Sequence, residues 1–354
     1  MQNLLQELYK IDLYSSGFIP RKFNINEKSY QISGVSGCGK SSLIKAYLST
    51  LKKSSYIYID LDDIRINFNK LNQNINSFCL ENKVECVVYD NYIKDISLPN
   101  VSQLILSSEL FYDIEHLEHI KLYPLDFEEF LAYEKEYNET AFSHFLQLGS
   151  FSAMHKLHSD DRTIYLQKLL KTSVSEIEFS IMYLIANLFT HNISAFSLYE
   201  KLKLTQKISK DKLYSSYESL VQKNYIHELA KFDRKRAVKK VYLCDSALKQ
   251  ALTANKNFSL IFEHIIFLEL YKHNKNAFYE DNIEFYLPDE NSVIVAMPFG
   301  NERTLFKKLE SIEAFIFEHN ITSIIAITMS HEGEITHPIA TVNMIPFSMW
   351  ALMD

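Results

Sequence analysis

The sequence predicts an α/β protein: a parallel sheet carrying a phosphate-binding loop, with two smaller modules behind it. Three observations predict this. Three of the seven glycines fall within six residues, at Gly34, Gly37 and Gly39, and Lys40, Ser41 and Ser42 follow at once. Short apolar runs alternate with helical stretches through the first part of the chain, the pattern of a parallel sheet with helices on both faces. With 354 residues, 47% of them hydrophobic and 23% charged, the chain is globular in composition and long enough for two or three domains.

The first strand expected is Tyr30-Gln31-Ile32-Ser33. The run Gly34-Val35-Ser36-Gly37-Cys38-Gly39-Lys40-Ser41-Ser42 follows, and fits G-x-x-x-x-G-K-[ST]. A triphosphate needs several backbone N–H donors aimed at one point, and glycine lets the chain bend that way without a Cβ clash. Leu43, Ile44, Tyr47, Leu48 and Leu51 then recur at helical spacing, so a helix begins here and turns its positive end to the anion. The expected cofactor is ATP with Mg²⁺. Gly34, Ser36, Gly37, Cys38, Gly39, Lys40, Ser41 and Ser42 form the binding loop. Lys40 would reach the β- and γ-phosphates and Ser41 would ligate the ion.

Further strands are expected over residues 56–60, 84–90, 103–107 and 119–123. Mg²⁺ also calls for a carboxylate at the end of an apolar strand. Asp90 is the preferred candidate because a first strand, a second strand and then the acid fit the additional-strand class of P-loop ATPases; Asp60 is the rival. The residue after Asp90 is Asn91, which can orient a water but cannot accept its proton. Hydrolysis is therefore expected to be slow or absent, with Asp95 a nearby substitute acid. Ser107, ending the fourth strand, stands where a polar γ-phosphate sensor is usual; the alternative is a serine that merely ends a strand. The arginines are Arg21, Arg65, Arg162, Arg234, Arg236 and Arg303, and Arg162 is the arginine-finger candidate, against a solvated surface residue.

A net charge of −7 argues against a protein that coats nucleic acid uniformly, though not against a local basic patch. The four cysteines, Cys38, Cys79, Cys86 and Cys244, show no C-x-x-C pair, which suits a reducing cytoplasm. No run reaches about eighteen apolar residues, so no membrane contact is expected. The N-terminus lacks the features of a signal peptide. His155 and His158, with Asp160 and Asp161, have metal-like spacing, but the preferred reading is polar surface histidines.

Residues 174–245 read as three helices and a hairpin, the pattern of a winged helix. The expected hairpin tip, residues 231–240, holds six basic side chains in ten. Arg234, Lys235, Arg236, Lys239 and Lys240, beside a helix with Lys210, Lys212 and Lys223, could grip DNA phosphates; a protein client is the alternative partner. From about residue 251 the chain returns to α/β. An apolar helix over 258–272 carries Glu263, strands follow near 283–286 and 292–295, then a helix over 309–317 and a strand over 324–327. This order resembles a restriction-endonuclease-like core. Glu263 and Glu284 could supply two of its acids, but the expected Glu-x-Lys falls near Val295-Ala296-Met297, with neither acid nor lysine. The fold is expected to be retained and nuclease chemistry lost.

Two blocks carry a wider resemblance. Leu104-Ile105-Leu106-Ser107-Ser108 is followed by Leu122-Tyr123-Pro124-Leu125-Asp126-Phe127-Glu128-Glu129-Phe130. The chain thereby resembles the AAA-like ATPases of bacteria and archaea that carry a C-terminal nuclease-like domain, whose signature runs apolar-Pro-Leu-Ser-Phe-x-Glu-Phe; Asp126 replaces its serine. Gly149-Ser150-Phe151 and Lys240-Val241-Tyr242-Leu243-Cys244-Asp245 are similar to two later family blocks. The resemblance implies an ATPase domain with a short helical lid over residues 1–170, a winged helix over 171–250 and a degenerate nuclease-like domain over 251–354. The Asp90-Asn91 pair departs from the family's acidic pair, and Ile114 to Glu118 lacks its Gly-Arg. The expectation is a slow ATPase whose nucleotide state controls the other two modules, or a nucleotide-gated DNA- or protein-binding regulator with little turnover.

Overall fold

The computed structural model describes residues 1–13, 18–134, 139–188, 190–254 and 257–353. These fall into two compact units, one built on Met1–Pro124 with Gln222–Asn224, the other on Leu125–Val221 and the chain from Tyr225 onward.

The first unit runs α1 (Gln2–Lys10), β1 (Tyr30–Ser33), α2 (Lys40–Leu48), β2 (Tyr56–Asp60), α3 (Phe68–Asn82), β3 (Cys86–Asp90), β4 (Gln103–Ser108) and β5 (Glu118–Lys121). All pairings are parallel, in the order β2-β3-β4-β1-β5. β4 is thus inserted between the strand that leads into the glycine loop and the strand that ends in Asp90. Strands β1, β3 and β4 are buried at every position, and the apolar runs Cys86–Tyr89 of β3 and Leu104–Leu106 of β4 reflect a sheet covered on both faces. The edge strand β2 is half-buried at Tyr58 and Asp60, and the opposite edge strand β5 is exposed or half-buried throughout. Ile57, Ile59, Val87, Tyr89, Leu104 and Leu106 pack with Leu71, Ile75 and Phe78 of α3 and with Leu5 of α1.

The second unit begins with α4 (Phe127–Leu131), α5 (Glu139–Leu148), α6 (Ser159–Ser173), α7 (Glu176–Asn187), α8 (Ala195–Leu202), α9 (Lys210–Gln222) and the hairpin β6 (Ile226–Leu229)–β7 (Lys240–Leu243). Ser175 and Ser194 form capping boxes at the starts of α7 and α8, each satisfying backbone donors that the first turn leaves without partners. Then come α10 (Ser246–Leu252), α11 (Phe258–Lys272), β8 (Phe278–Glu280), β9 (Ile283–Leu287), β10 (Ser292–Ala296), α12 (Glu302–Glu318), β11 (Ser323–Thr328), β12 (Gly333–Thr336), β13 (Thr341–Pro346) and α13 (Phe347–Trp350). Strands β8 to β13 make a mixed six-stranded sheet in the order β12-β13-β11-β10-β9-β8. β8, β9 and β10 form an antiparallel meander, and α12 crosses over to place β11 parallel to β10. Leu305, Leu309, Ile312 and Ile316 of α12 pack on Val293, Val295 and Ile324.

The Pro-Leu-x-Phe block has a defined place in this unit. Asp126 caps α4 in a box with Glu129, and Phe127 packs edge-on against Phe142, Phe145 and Phe347. The two later blocks meet at Asp245, which is fully buried and accepts hydrogen bonds from the backbone N–H groups of Ser150, Ala247 and Leu248. Gly149 sits at φ +67°, and a Cβ there would come within 2.5 Å of the Asp245 carboxylate.

Candidate nucleotide-binding site

β1 stops at Ser33, the chain turns through the glycine loop, and α2 starts at Lys40. The glycines are needed for different reasons. Gly37 and Gly39 take left-handed backbone at φ +82° and +106°, which side chains with a Cβ rarely adopt. Gly34 needs space instead. β5 pairs with β1, and Leu122 N–H donates to Ser33 O at 2.7 Å, so a Cβ on Gly34 would lie 2.2 Å from Leu122 O. Lys40 is buried, and its ammonium donates to Gly34 O at 2.7 Å and Val35 O at 3.0 Å. Its charge therefore stands over the loop, where a phosphate would lie. Cys38 is buried in the loop, Ser36 and Ser41 are half-buried, and Ser42 is exposed.

Arg21 is a loop residue in all but sequence position. Its buried guanidinium donates to Cys38 O at 2.9 Å and to Tyr123 O at 2.8 Å, tying the glycine loop to the segment after β5. A planar fork spanning two carbonyls is a task for arginine rather than lysine. No motif links Arg21 to the loop 17 residues later, so sequence reasoning had no signal for it.

The carboxylate end of the site forms on β2, β3 and β4. Asp90 closes β3, buried, and stands directly opposite Asp60 in the parallel register. One Asp90 oxygen accepts the Ser107 hydroxyl and the other accepts the Tyr58 hydroxyl. Ser107, fully buried, thus spends its hydroxyl on Asp90, aiming the carboxylate. Asp60, the rival acid, accepts the Asn91 side-chain amide at 2.9 Å. Asn91 adopts left-handed backbone at φ +57°, and its own N–H points back to Asp90 and Ser107. The crowding of acids has an electrostatic trace: burial and the charges of Asp60 and Asp90 push the Asp62 carboxyl up. Burial and the Asp90 charge push the Tyr58 phenol far above its ordinary range. Asp95, the substitute acid, is exposed.

Mg²⁺ prefers hard oxygen ligands and is commonly held by one or two carboxylates together with substrate phosphates. Ser41 and Asp90 fit that donor set, in an acidic corner that a cation would relieve. Among the described residues no group of three or more His, Cys, Asp or Glu side chains is arranged to hold a metal. His155 is largely buried, stacked on Tyr133 with Glu134 3.7 Å away; this corrects its reading as a surface histidine, while His158 is exposed. Arg162 donates to Leu157 O in its own segment.

At the hairpin, Arg234, Lys235 and Arg236 are exposed. Lys239 and Lys240 are engaged with carboxylates, at 2.5 Å from Glu228 and 2.8 Å from Glu263, which narrows the basic tip expected from sequence. Glu263 also accepts the Tyr242 hydroxyl, and Glu284 pairs with Lys308 of α12 at 2.8 Å. Each of the two acids expected in the nuclease-like core is thus neutralised by a lysine that the expected motif does not contain. No described helix is long and apolar enough to cross a membrane.

No protein-family model matches the chain. An uncharacterised protein of Methanocaldococcus jannaschii is 22% identical over 94% of this chain and 89% of its own length. Among solved structures, the Walker-type ATPase of Pyrococcus abyssi aligns at 15% identity and a TM-score of 0.40, covering 64% of this chain and 91% of that one. The Aeropyrum pernix ORC1 protein, solved in complex with DNA, aligns at 10% identity and 0.32 over 71% of this chain and 91% of that one. AMPPCP-bound DnaA from Aquifex aeolicus aligns at 14% and 0.27, over 62% and 86%.

Proposed function

We propose that this chain binds ATP with Mg²⁺ at the Gly34–Ser42 loop and is a slow, AAA-like P-loop ATPase. The observation that carries the reading is the loop itself: two left-handed glycines, a buried Lys40 across the loop mouth, and a helix beginning at that lysine. Lys40 supplies charge to the phosphates, and Ser41 and Asp90 hold the ion. Bound Mg²⁺ would neutralise phosphate charge. Ser107 aims Asp90, Asn91 orients water without taking its proton, and Arg21 keeps the loop in shape. The insertion of β4 between β1 and β3 supports the additional-strand class.

The reading extends to the rest of the chain. Residues 1–170 act as the ATPase domain with a helical lid, 171–250 as a winged helix, and 251–354 as an inactive nuclease-like domain. The helix order α7–α9 with the β6–β7 hairpin supports the second, and the mixed sheet of β8 to β13 with its α12 crossover supports the third. Nucleotide state controls how the latter modules engage a partner. That partner is DNA, gripped through Arg234, Lys235 and Arg236, or a protein client, and the setting is the cytoplasm.

A second reading has a specific observation behind it. Asn91 is locked to Asp60 and stands where a proton-accepting glutamate is usual, which favours a nucleotide-gated regulator with negligible turnover. Phosphate release from Mg·ATP, beside Lys40→Ala, separates the two. Release that disappears in the variant supports the ATPase; binding without release supports the regulator; loop-independent release overturns both.

A further inference from the structure

Asp60 and Asn91 meet at the ends of neighbouring strands. Asp60 closes β2, Asp90 closes β3 directly opposite it, and Asn91 is the next residue. The Asn91 backbone is fixed in place: it takes φ +57°, and its N–H faces the Asp90 carboxylate at 3.2 Å and the Ser107 hydroxyl at 3.3 Å. Its side chain ends on Asp60. Nδ2 donates to Asp60 Oδ1 at 2.9 Å, and the same oxygen accepts the Asp62 N–H at 3.1 Å. An ionised carboxylate only accepts hydrogen bonds, so it faces the NH₂ edge of an amide and never its oxygen. Asp60 therefore sets which way the Asn91 amide is turned. Asn91 is half-buried, and its Oδ1 has no hydrogen-bond partner among the described residues. In the sheet order β2-β3-β4-β1-β5, the NH₂ edge is spent on β2, two strands removed from the one that feeds the glycine loop.

Which edge of the amide is open decides what Asn91 can do to a water. In hydrolysis the water oxygen bonds to the γ-phosphorus, the bond from that phosphorus to the β-phosphate oxygen breaks, and the water gives up a proton. An amide oxygen accepts a water O–H and leaves the water's lone pair for the phosphorus. An NH₂ group would donate to that lone pair and occupy it. We infer that Asp60 is a positioning residue for hydrolysis: it holds the Asn91 amide with Oδ1 open to the attacking water, while its own carboxylate, engaged behind the amide, takes no proton. The proton goes to solvent instead, because an amide oxygen does not keep it. Acid and amide are both present, in the order that orients the water and withholds the base. This rests on reading the Gly34–Ser42 loop as an ATP site with Asn91 at its reacting end. An Asp60 that held the ion would behave differently, since ATP affinity in Mg²⁺ would fall with its removal.

The test is single-turnover hydrolysis of γ-labelled ATP by the full chain, with a non-hydrolysable analogue titrated beside it in Mg²⁺. The proteins are the unaltered chain, Asp60→Ala, Asn91→Asp and the exchange Asp60→Asn/Asn91→Asp. Asp60→Ala releases the amide and should lower the rate about tenfold, with analogue affinity kept within about twofold. The exchange keeps an acid–amide hydrogen bond between the two positions but puts the acid at position 91, so its rate should rise by about tenfold or more over the parent. Asn91→Asp alone sets two carboxylates against each other and should gain less than the exchange by about threefold or more. Without nucleotide, the proton resonances of the Asn91 side-chain amide should shift in Asp60→Ala, and this readout with the Asp60→Ala rate decides the matter if the exchange does not fold. An exchange variant that binds the analogue yet hydrolyses no faster than the parent would overturn the inference, as would an equal gain in Asn91→Asp alone. So would amide resonances unmoved in Asp60→Ala, or a loss of analogue affinity in step with its rate, the mark of an ion ligand. No binding of the analogue by the unaltered chain would overturn the ATP reading and this inference with it.

Discussion

Replacing Arg21 with alanine should loosen the glycine loop and weaken ATP binding. The structure sets the size of the effect. The guanidinium donates to Cys38 O at 2.9 Å in a buried setting and to Tyr123 O at 2.8 Å in a part-buried one. A hydrogen bond from a charged group is worth about 1.5–3 kcal/mol, and a buried carbonyl left without a partner loses most of that. Water can replace the Tyr123 arm, so its share is roughly halved, and the two together come to about 3 kcal/mol. For a unit of this size that lowers the unfolding temperature by about 10 °C. ATP affinity should fall by about tenfold, because the Cys38 peptide is no longer anchored and the loop donors must be ordered on binding. Arg21→Lys should recover less than half of the loss, since one ammonium cannot replace the fork. Scanning calorimetry and ATP titration of the full chain measure both effects. An Arg21→Ala protein that melts within about 2 °C of the parent and binds ATP equally well would show that Arg21 does not anchor the loop.

Other substitutions follow from single contacts. Gly34→Ala should destabilise by about 3 kcal/mol or more in urea unfolding, because the new Cβ would press on the backbone oxygen of Leu122, which β-pairing holds in place. Asp245→Ala should cost about 3 kcal/mol, since it strands the N–H groups of Ser150, Ala247 and Leu248 in a buried site; Asp245→Asn should recover part of it. If duplex DNA is the partner, replacing Arg234, Lys235 and Arg236 together with alanine should weaken binding alike for all sequences and reduce the salt slope by about 2 to 3.

Much of the first unit was legible because its sheet is buried on both faces. β1 and β2 fall on the residues that the apolar runs mark, and β3 and β4 differ only at their ends. The glycine loop was legible because its backbone demands are met by one residue type at fixed spacing. Asp90 stood out over Asp60 only through strand order; the structure adds that they are register partners, which no linear spacing reveals. Arg21 and Tyr58 stayed hidden for a different reason. Each acts through a contact between segments distant in sequence, and neither residue type at that position carries a pattern of its own. The same holds for Phe127 against Phe347, which joins the Pro-Leu-x-Phe block to the last helix of the chain. Charge counting at the hairpin tip overstated the basic patch, because Glu228 and Glu263 come from other parts of the sequence to neutralise Lys239 and Lys240.

ATP binding at the Gly34–Ser42 loop is open to a direct test. The measurement is isothermal titration of ATP into the full chain and into Lys40→Ala. One site per chain is expected in the parent and at least a tenfold loss, about 1.4 kcal/mol, in the variant, with the fold intact. Equal affinity in the two proteins, or no binding in either, would mean that the loop is not an ATP site.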